Sequence, residues 1–122
     1  MAIARYALVA LDCPDPPALA EFYRAIVGGE IVRVEHDWVR LRPETGSDIA
    51  FQLAPDHVAP DWPGGGQQQA HLDFDVPDLN EGERAVLAVG ARKAVHQPQP
   101  ADWRVFLDPA GHLFCLVRDG LS

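Results

Sequence analysis

The chain has 122 residues, 48% hydrophobic and 23% charged, and carries a formal net charge of −8 at pH 7. That composition fits one globular domain with a real core and argues against disorder; the acidity disfavours nucleic acid, whose phosphates are bound through clustered Lys and Arg. No apolar run approaches the roughly 20 residues of a bilayer span and the N-terminus lacks a signal-peptide succession, so a cytoplasmic protein without a membrane partner is expected.

Taken in chain order, residues 5 to 12 read as a strand. Asp15-Pro16-Pro17 then supplies a side-chain cap followed by prolines in a first helical turn, Leu19, Phe22, Tyr23 and Ile26 recur at helical spacing, and Gly28-Gly29 ends the helix. Strands are expected at about 30 to 35, 38 to 42 and 49 to 54, the last two joined by a turn through Pro43, Gly46 and Ser47. Pro55 to Gln69 is rich in Pro, Gly and Gln, with Trp62 as its large apolar group, and reads as a linker able to fold over a site. A fifth strand at 70 to 76, a helix opened by the capping pair Asp78 and Glu81 and ended by Gly90, and strands near 93 to 97, 103 to 107 and 112 to 117 complete the chain.

The second half retraces the first. At an offset of 63, Asp12, Pro14 and Asp15 fall on Asp75, Pro77 and Asp78, and Phe51 and Leu53 fall on Phe114 and Leu116. Each copy is one supersecondary unit whose exposed apolar face its twin covers, with a cleft expected between them. The domain plan is thus a single domain over 1–122: unit one at about 1–54, a linker at 55–69 and unit two at about 70–122.

Side-chain alternation separates a helix-packed face of each strand from the other face. Val9, Leu11, Val39, Leu41, Phe51 and Leu53 go to the helix in unit one, as do Leu72, Phe74, Val76, Phe114 and Leu116 in unit two. The other face receives Tyr6, Leu8, Trp38, Arg40, Arg42 and Gln52 from the first unit, and His71, Asp73, Asp75, Leu113, Cys115 and Val117 from the second. Aligning Arg104 with Arg40 takes an offset of 64, places Arg104 and Phe106 on that same face, and would be reversed by one bulge. Aromatic surfaces beside Arg40 and Arg42 suit a planar ligand carrying a carboxylate or phosphate; the competing structural reading is that the arginines lie over a sheet edge and meet surface acids. The net acidity, conversely, favours a cationic ligand.

Leu11-Asp12-Cys13-Pro14-Asp15, the helix with Phe22-Tyr23 that closes at Gly28-Gly29, His71-Leu72-Asp73 and Asp108-Pro109-Ala110-Gly111-His112-Leu113-Phe114-Cys115 together resemble the vicinal oxygen chelate superfamily, specifically its glyoxalase-like and bleomycin-resistance branch. The resemblance covers nearly the whole chain. It implies an α+β fold of two tandem βαβββ units forming a cupped, mostly antiparallel eight-stranded sheet, and it implies a homodimer. Fold does not fix function, because relatives include lyases, isomerases, dioxygenases, thiol transferases and drug-binding proteins.

Metal-dependent relatives offer one side chain from the first and last strand of each unit to a shared divalent cation. By motif those positions are Leu8, Gln52, His71 and Cys115, and the repeat pairs them the same way, Leu8 with His71 and Gln52 with Cys115. Leu8 has no lone pair, Gln52 has a neutral carbonyl oxygen and Cys115 must ionise to bind well, so a metal would rest on His71 and Gln52 in a degenerate site, and no cofactor is expected. No carboxylate stands at the four positions for glyoxalase proton transfer, and the two His and one Glu of ring-cleaving dioxygenases are missing. Asp73 is an off-pattern base or a solvated strand residue. Cys115 is a nucleophile activated by His71 or, more simply, small apolar filling. His36, His57, His96 and His112 share no motif spacing and read as surface or turn residues, and both cysteines read as reduced.

The function expected is therefore a small-molecule-binding protein that holds a planar organic ligand in the cleft through Tyr6, Leu8, Trp38, Arg40, Gln52, His71 and Cys115. The alternative is a lyase or isomerase of the glyoxalase type, with or without metal, in which His71 is the catalytic acid or base.

Overall fold

Two prolines and one aspartate open the first helix. The computed structural model describes residues 2–65 and 70–120, and in it Pro16 and Pro17 take the first two helical positions, where a missing N–H costs nothing. The first amide that needs an acceptor, Ala18 N–H, donates to the Asp15 carboxylate at 3.2 Å. Asp78 caps the second helix in the same way, accepting from Glu81 N–H at 3.0 Å.

The chain divides into two units, Met1–His57 and Val58–Ser122. The first contains β1 (Leu8–Cys13), α1 (Pro16–Val27), β2 (Glu30–Glu35), β3 (Trp38–Arg42) and β4 (Asp48–Leu53). The second contains β5 (Leu72–Val76), α2 (Leu79–Ala88), β6 (Arg92–Lys93), β7 (Trp103–Leu107) and β8 (Leu113–Arg118). Each unit is strand, helix, three strands, and its four strands form one mixed sheet, in the orders β1-β4-β3-β2 and β5-β8-β7-β6. The first and last strands of each unit pair in parallel, and the remaining pairs are antiparallel.

One face of each sheet packs on its helix. In unit 1 the Tyr23 ring stacks on Phe51 with centroids 5.6 Å apart, and Leu19, Val39 and Leu41 are buried beside them. In unit 2 Phe114 lies between Phe106, stacked at 5.6 Å, and Phe74, edge-on at 5.9 Å. Phe106 therefore belongs to the helix-side core. Arg104 points the same way, donating to Asn80 and Glu83 of α2 at 3.0 and 3.2 Å.

This corrects the alignment of Arg104 with Arg40. Trp38 stands opposite Gln52 and Trp103 opposite Val117, so β3 and β4 map onto β7 and β8 at an offset of 65, and the counterpart of Arg40 is Val105. The helix caps Asp15 and Asp78 keep the offset of 63. The second unit has thus gained two residues between its helix and its last two strands.

The edge strand β6 is two residues long, where residues 93 to 97 read as strand. The Gln97 side chain explains the shortening: its amide donates to Ala94 O at 2.8 Å and Val105 O at 2.7 Å and accepts from Val105 N–H at 2.9 Å. A side chain thereby takes the ladder bonds a longer strand would make. Of the linker expected at 55–69, residues 66–69 lie outside the described part; Trp62 packs on unit 2 and meets the His96 ring at 5.4 Å.

Gly28 and Gly29 have φ of 68° and 85°, and a Cβ on Gly29 would overlap the carbonyl oxygen of Arg42. That close approach lets the end of α1 turn directly into β2. Gly29→Ala combines a left-handed backbone with a main-chain clash, and a loss of about 2 to 4 kcal/mol of stability is expected in urea unfolding, whereas an alanine at Gly46, where a Cβ meets nothing within 4 Å, should cost less.

A His–Asp–Cys cluster as the candidate functional site

The face of the unit 2 sheet that turns away from α2 is apolar over most of its area. Val105, Leu113, Cys115 and Val117 are buried there with Ala94, and Trp62, Trp103 and Leu107 pack against them half-buried. The margin on β5 is polar. Alternation puts His71, Asp73 and Asp75 on this face, and the parallel register sets Asp73 opposite Cys115 and Asp75 opposite Val117.

Three donor groups meet at this margin. His71 Nε2 lies 3.1 Å from Asp73 Oδ1, and one ligand atom each from His71, Asp73 and Cys115 fall within 4.8 Å of one another. Among the described residues this is the group of three His, Cys, Asp or Glu side chains close enough to share a metal ion. The two polar members reach solvent, with side chains 35% and 45% exposed, while Cys115 is 3% exposed. Burial pushes the Cys115 thiol up to about 12, and the charge of Asp73 and a hydrogen bond to its carboxylate push the same way. A thiol so placed is protonated at neutral pH and is not a nucleophile.

Unit 1 carries nothing comparable at the corresponding places. By register and offset, the counterparts of His71, Asp73 and Cys115 are Leu8, Ala10 and Ala50, all hydrocarbon. Gln52 corresponds to Val117, not to Cys115 as the unbroken repeat had it; it is exposed and stands opposite Trp38 and Asp12. Tyr6 lies ahead of β1 and is 69% exposed. Arg40 and Arg42 share this face with Leu8 and Trp38, but both are engaged: Arg40 Nε donates to Asp48 at 2.6 Å, and Arg42 donates through Nε and Nη2 at 3.2 Å each.

The structure thus brings His71 together with Cys115, and, within unit 1, Trp38 beside Gln52. A metal centre drawing on all four family positions does not fit this donor set, because Leu8 offers no donor and Gln52 only an amide. Asp73 is the member that motif reasoning undervalued. The usable signal was the alternation of His71 and Asp73 on one strand, combined with a parallel partner at Cys115.

The glyoxalase-like domain model matches residues 8–117. Among solved structures, the chain is similar to a genomically encoded fosfomycin resistance protein of Listeria monocytogenes, with 17% identity, a TM-score of 0.74, and coverage of 98% of this chain and 97% of that one. A glyoxalase/bleomycin resistance protein/dioxygenase family enzyme of Burkholderia phytofirmans shows 19% identity and a TM-score of 0.68, over 92% and 96% of the two chains. A bleomycin-binding protein solved with bleomycin shows 21% identity and a TM-score of 0.55, over 95% and 99%. At such identities these likenesses show the fold alone. No curated protein matches the chain.

Two outcomes check the electrostatics. The hydrogen bond from Arg42, and then that from Arg40, outweighs burial and holds the Asp48 carboxyl below the ordinary carboxylate range. The stability this contributes is present above the unfolded-state value of about 3.9 and is lost as pH falls through the depressed folded-state range. Asp48→Asn should therefore lower the unfolding free energy by about 1 kcal/mol at pH 7, with the gap from wild type closing in urea melts taken toward pH 2. Iodoacetamide at pH 7.5 should leave Cys115 unmodified in the native protein and alkylate it fully in guanidinium, as peptide mass mapping would show.

Proposed function

Because the chain belongs to the glyoxalase-like domain family, we propose that it is a small-molecule-binding protein in which the two-unit metal centre of that fold has decayed, and that it holds a planar organic ligand on unit 2. The single observation that carries this reading is the hydrocarbon at Leu8, Ala10 and Ala50, the unit 1 counterparts of His71, Asp73 and Cys115. A ligand lying against Trp62 and Trp103 would meet apolar surface and aromatic rings on one side and the His71–Asp73 pair on the other.

The sign of the charge on this face argues for a ligand that donates hydrogen bonds or carries positive charge. Asp73 and Asp75 line its margin on β5, Arg104 faces α2, and Arg92, opposite Leu107, stands at the other edge of the sheet on β6. The acidity of the whole chain acts in the same direction.

A second reading, a lyase or isomerase of the glyoxalase type, is favoured by one contact. Asp73 holds His71 at Nε2, 3.1 Å away, which orients the imidazole and leaves its other nitrogen to exchange a proton with a substrate. The protein is further proposed to act as a cytoplasmic homodimer, which sedimentation would report as twice the 13.4 kDa chain mass.

Metal-free bleomycin, a cationic glycopeptide with a planar bithiazole group that a neighbour of this fold binds, serves as probe. Saturable quenching of tryptophan fluorescence in the micromolar range is expected, weakened roughly tenfold by Asp73→Asn and by Trp62→Ala, with the probe recovered chemically unchanged. An anionic planar dye that binds more tightly and ignores Asp73→Asn would refute the charge assignment. Turnover of an α-oxo thiohemiacetal, lost in His71→Ala, would put the enzyme reading in first place.

A further inference from the structure

We propose that His71, Asp73 and Cys115 form a cation site complete within unit 2, an imidazole nitrogen, a carboxylate oxygen and a sulfur suited to Zn²⁺. Two of the donors come from adjacent strands in fixed register, Asp73 of β5 opposite Cys115 of β8, and the third, His71, immediately precedes β5, two residues before Asp73. No residue of unit 1 is required. The site keeps the two positions that the pattern takes from unit 2, His71 and Cys115, and departs from it in adding Asp73 as the third donor and none from unit 1.

The donor chemistry selects the ion. A mixed nitrogen, oxygen and sulfur set excludes Mg²⁺ and Ca²⁺, which take oxygen ligands, and suits the borderline ions Zn²⁺ and Co²⁺. Donors around a tetrahedral zinc at its usual bond lengths stand about 3.3 to 3.6 Å apart, and the ligand atoms here already lie within 4.8 Å of one another. The adjustment needed is about an ångström, within reach of rotations of the exposed His71 and Asp73 side chains. Three protein ligands leave a fourth position open to water or to a ligand atom.

The arrangement without a cation is consistent with this role. Asp73 accepts a hydrogen bond from the Cys115 thiol and lies 3.1 Å from His71 Nε2, so its carboxylate stands between a thiol and an imidazole, where a cation would sit. On binding, the sulfur–hydrogen bond of Cys115 breaks, its proton leaves to solvent, and the sulfur–metal bond takes its place; no electron is transferred. Trp62 and Trp103, packed on the apolar cluster that includes Cys115, limit access from that side.

Titration of the full-length protein with Co²⁺ tests the assignment, because thiolate ligation gives cobalt a near-ultraviolet charge-transfer band that carboxylate or imidazole alone does not. One Co²⁺ per chain, with that band, bleached by an equivalent of Zn²⁺, is the expected result. Asp73→Asn and His71→Ala should each weaken binding at least tenfold. Cys115→Ser should lose the band; if that buried substitution fails to fold, the two exposed variants carry the test, with circular dichroism confirming their fold. Gln52→Ala should leave cobalt affinity unchanged. Binding without the band, no binding up to millimolar Co²⁺, or a loss on Gln52→Ala as large as that on Asp73→Asn would each overturn the proposal. It is independent of the organic-ligand reading: fluorescence quenching by bleomycin that survives while cobalt fails to bind sinks this site and leaves that reading standing.

Discussion

The parallel pairing of β5 with β8 is the constraint from which the chemistry of this protein follows. An antiparallel hairpin brings together residues close in sequence, but a parallel pair needs a crossover, and the crossover here spends a helix and two strands before the chain returns. The return sets Asp73 beside Cys115 and Asp75 beside Val117. Because alternation is strict, a slip of one residue in that register would turn Cys115 to the helix side and leave Asp73 facing Phe114 or Leu116 instead. The stacked rings of Phe106 and Phe114, with Phe74 edge-on, oppose such a slip, since they fill the helix-side core only in the present register. Core packing on one face thus positions polar groups on the other.

Much of this was legible in the residues. Asp-Pro-Pro and Asp-x-x-Glu announce helix starts through caps that the structure makes at 3.2 and 3.0 Å. Period-two alternation separated Leu72, Phe74 and Val76 from His71, Asp73 and Asp75, because those strands carry no bulge. What escaped was length that leaves no mark on pattern. The change of offset from 63 to 65 is an even number, so it preserves every face while sliding the partners one step along it, and Gln52 came to be matched with Cys115 where Ala50 belongs. On β7 the offset of 64 is one residue short of 65 and so crosses faces, which is why Arg104 and Phe106 lie on the helix side instead. The shortening of β6 was equally hidden, because Gln97 replaces backbone ladder bonds with side-chain ones and its sequence neighbourhood still reads as strand.

The two units have spent the same scaffold differently. Unit 1 places a buried carboxylate, Asp48, under two arginines on the face where unit 2 places His71 and Asp73, and its charges are satisfied internally. Arg40, Arg42 and Asp48 close on one another, and Glu30, opposite Arg42, supplies the second negative charge that balances the two guanidiniums. On unit 2 Lys93 and Arg104 are drawn to Glu83 and Arg118 to Asp102, while Arg92, opposite Leu107, stands on β6 at the edge of the sheet farthest from β5. Asp73 and Asp75 thus stand at one edge of a face whose centre is apolar, and nearby charge outranks net charge at distances within the roughly 10 Å screening length.

Asp73 is where these two arguments meet. A carboxylate beside a buried thiol opposes ionisation of that thiol, so in the absence of a cation Cys115 behaves as a small, inert, weakly donating side chain. The same carboxylate, placed between a thiol and an imidazole, is what a divalent ion would need in order to be held by three different donors. The sign of its influence on Cys115 then reverses, because a dication at bonding distance favours the thiolate far more than one carboxylate disfavours it. Asp73 can therefore suppress the reactivity of the cysteine and complete a site around it, and which role prevails depends on the species that occupies the margin of the sheet.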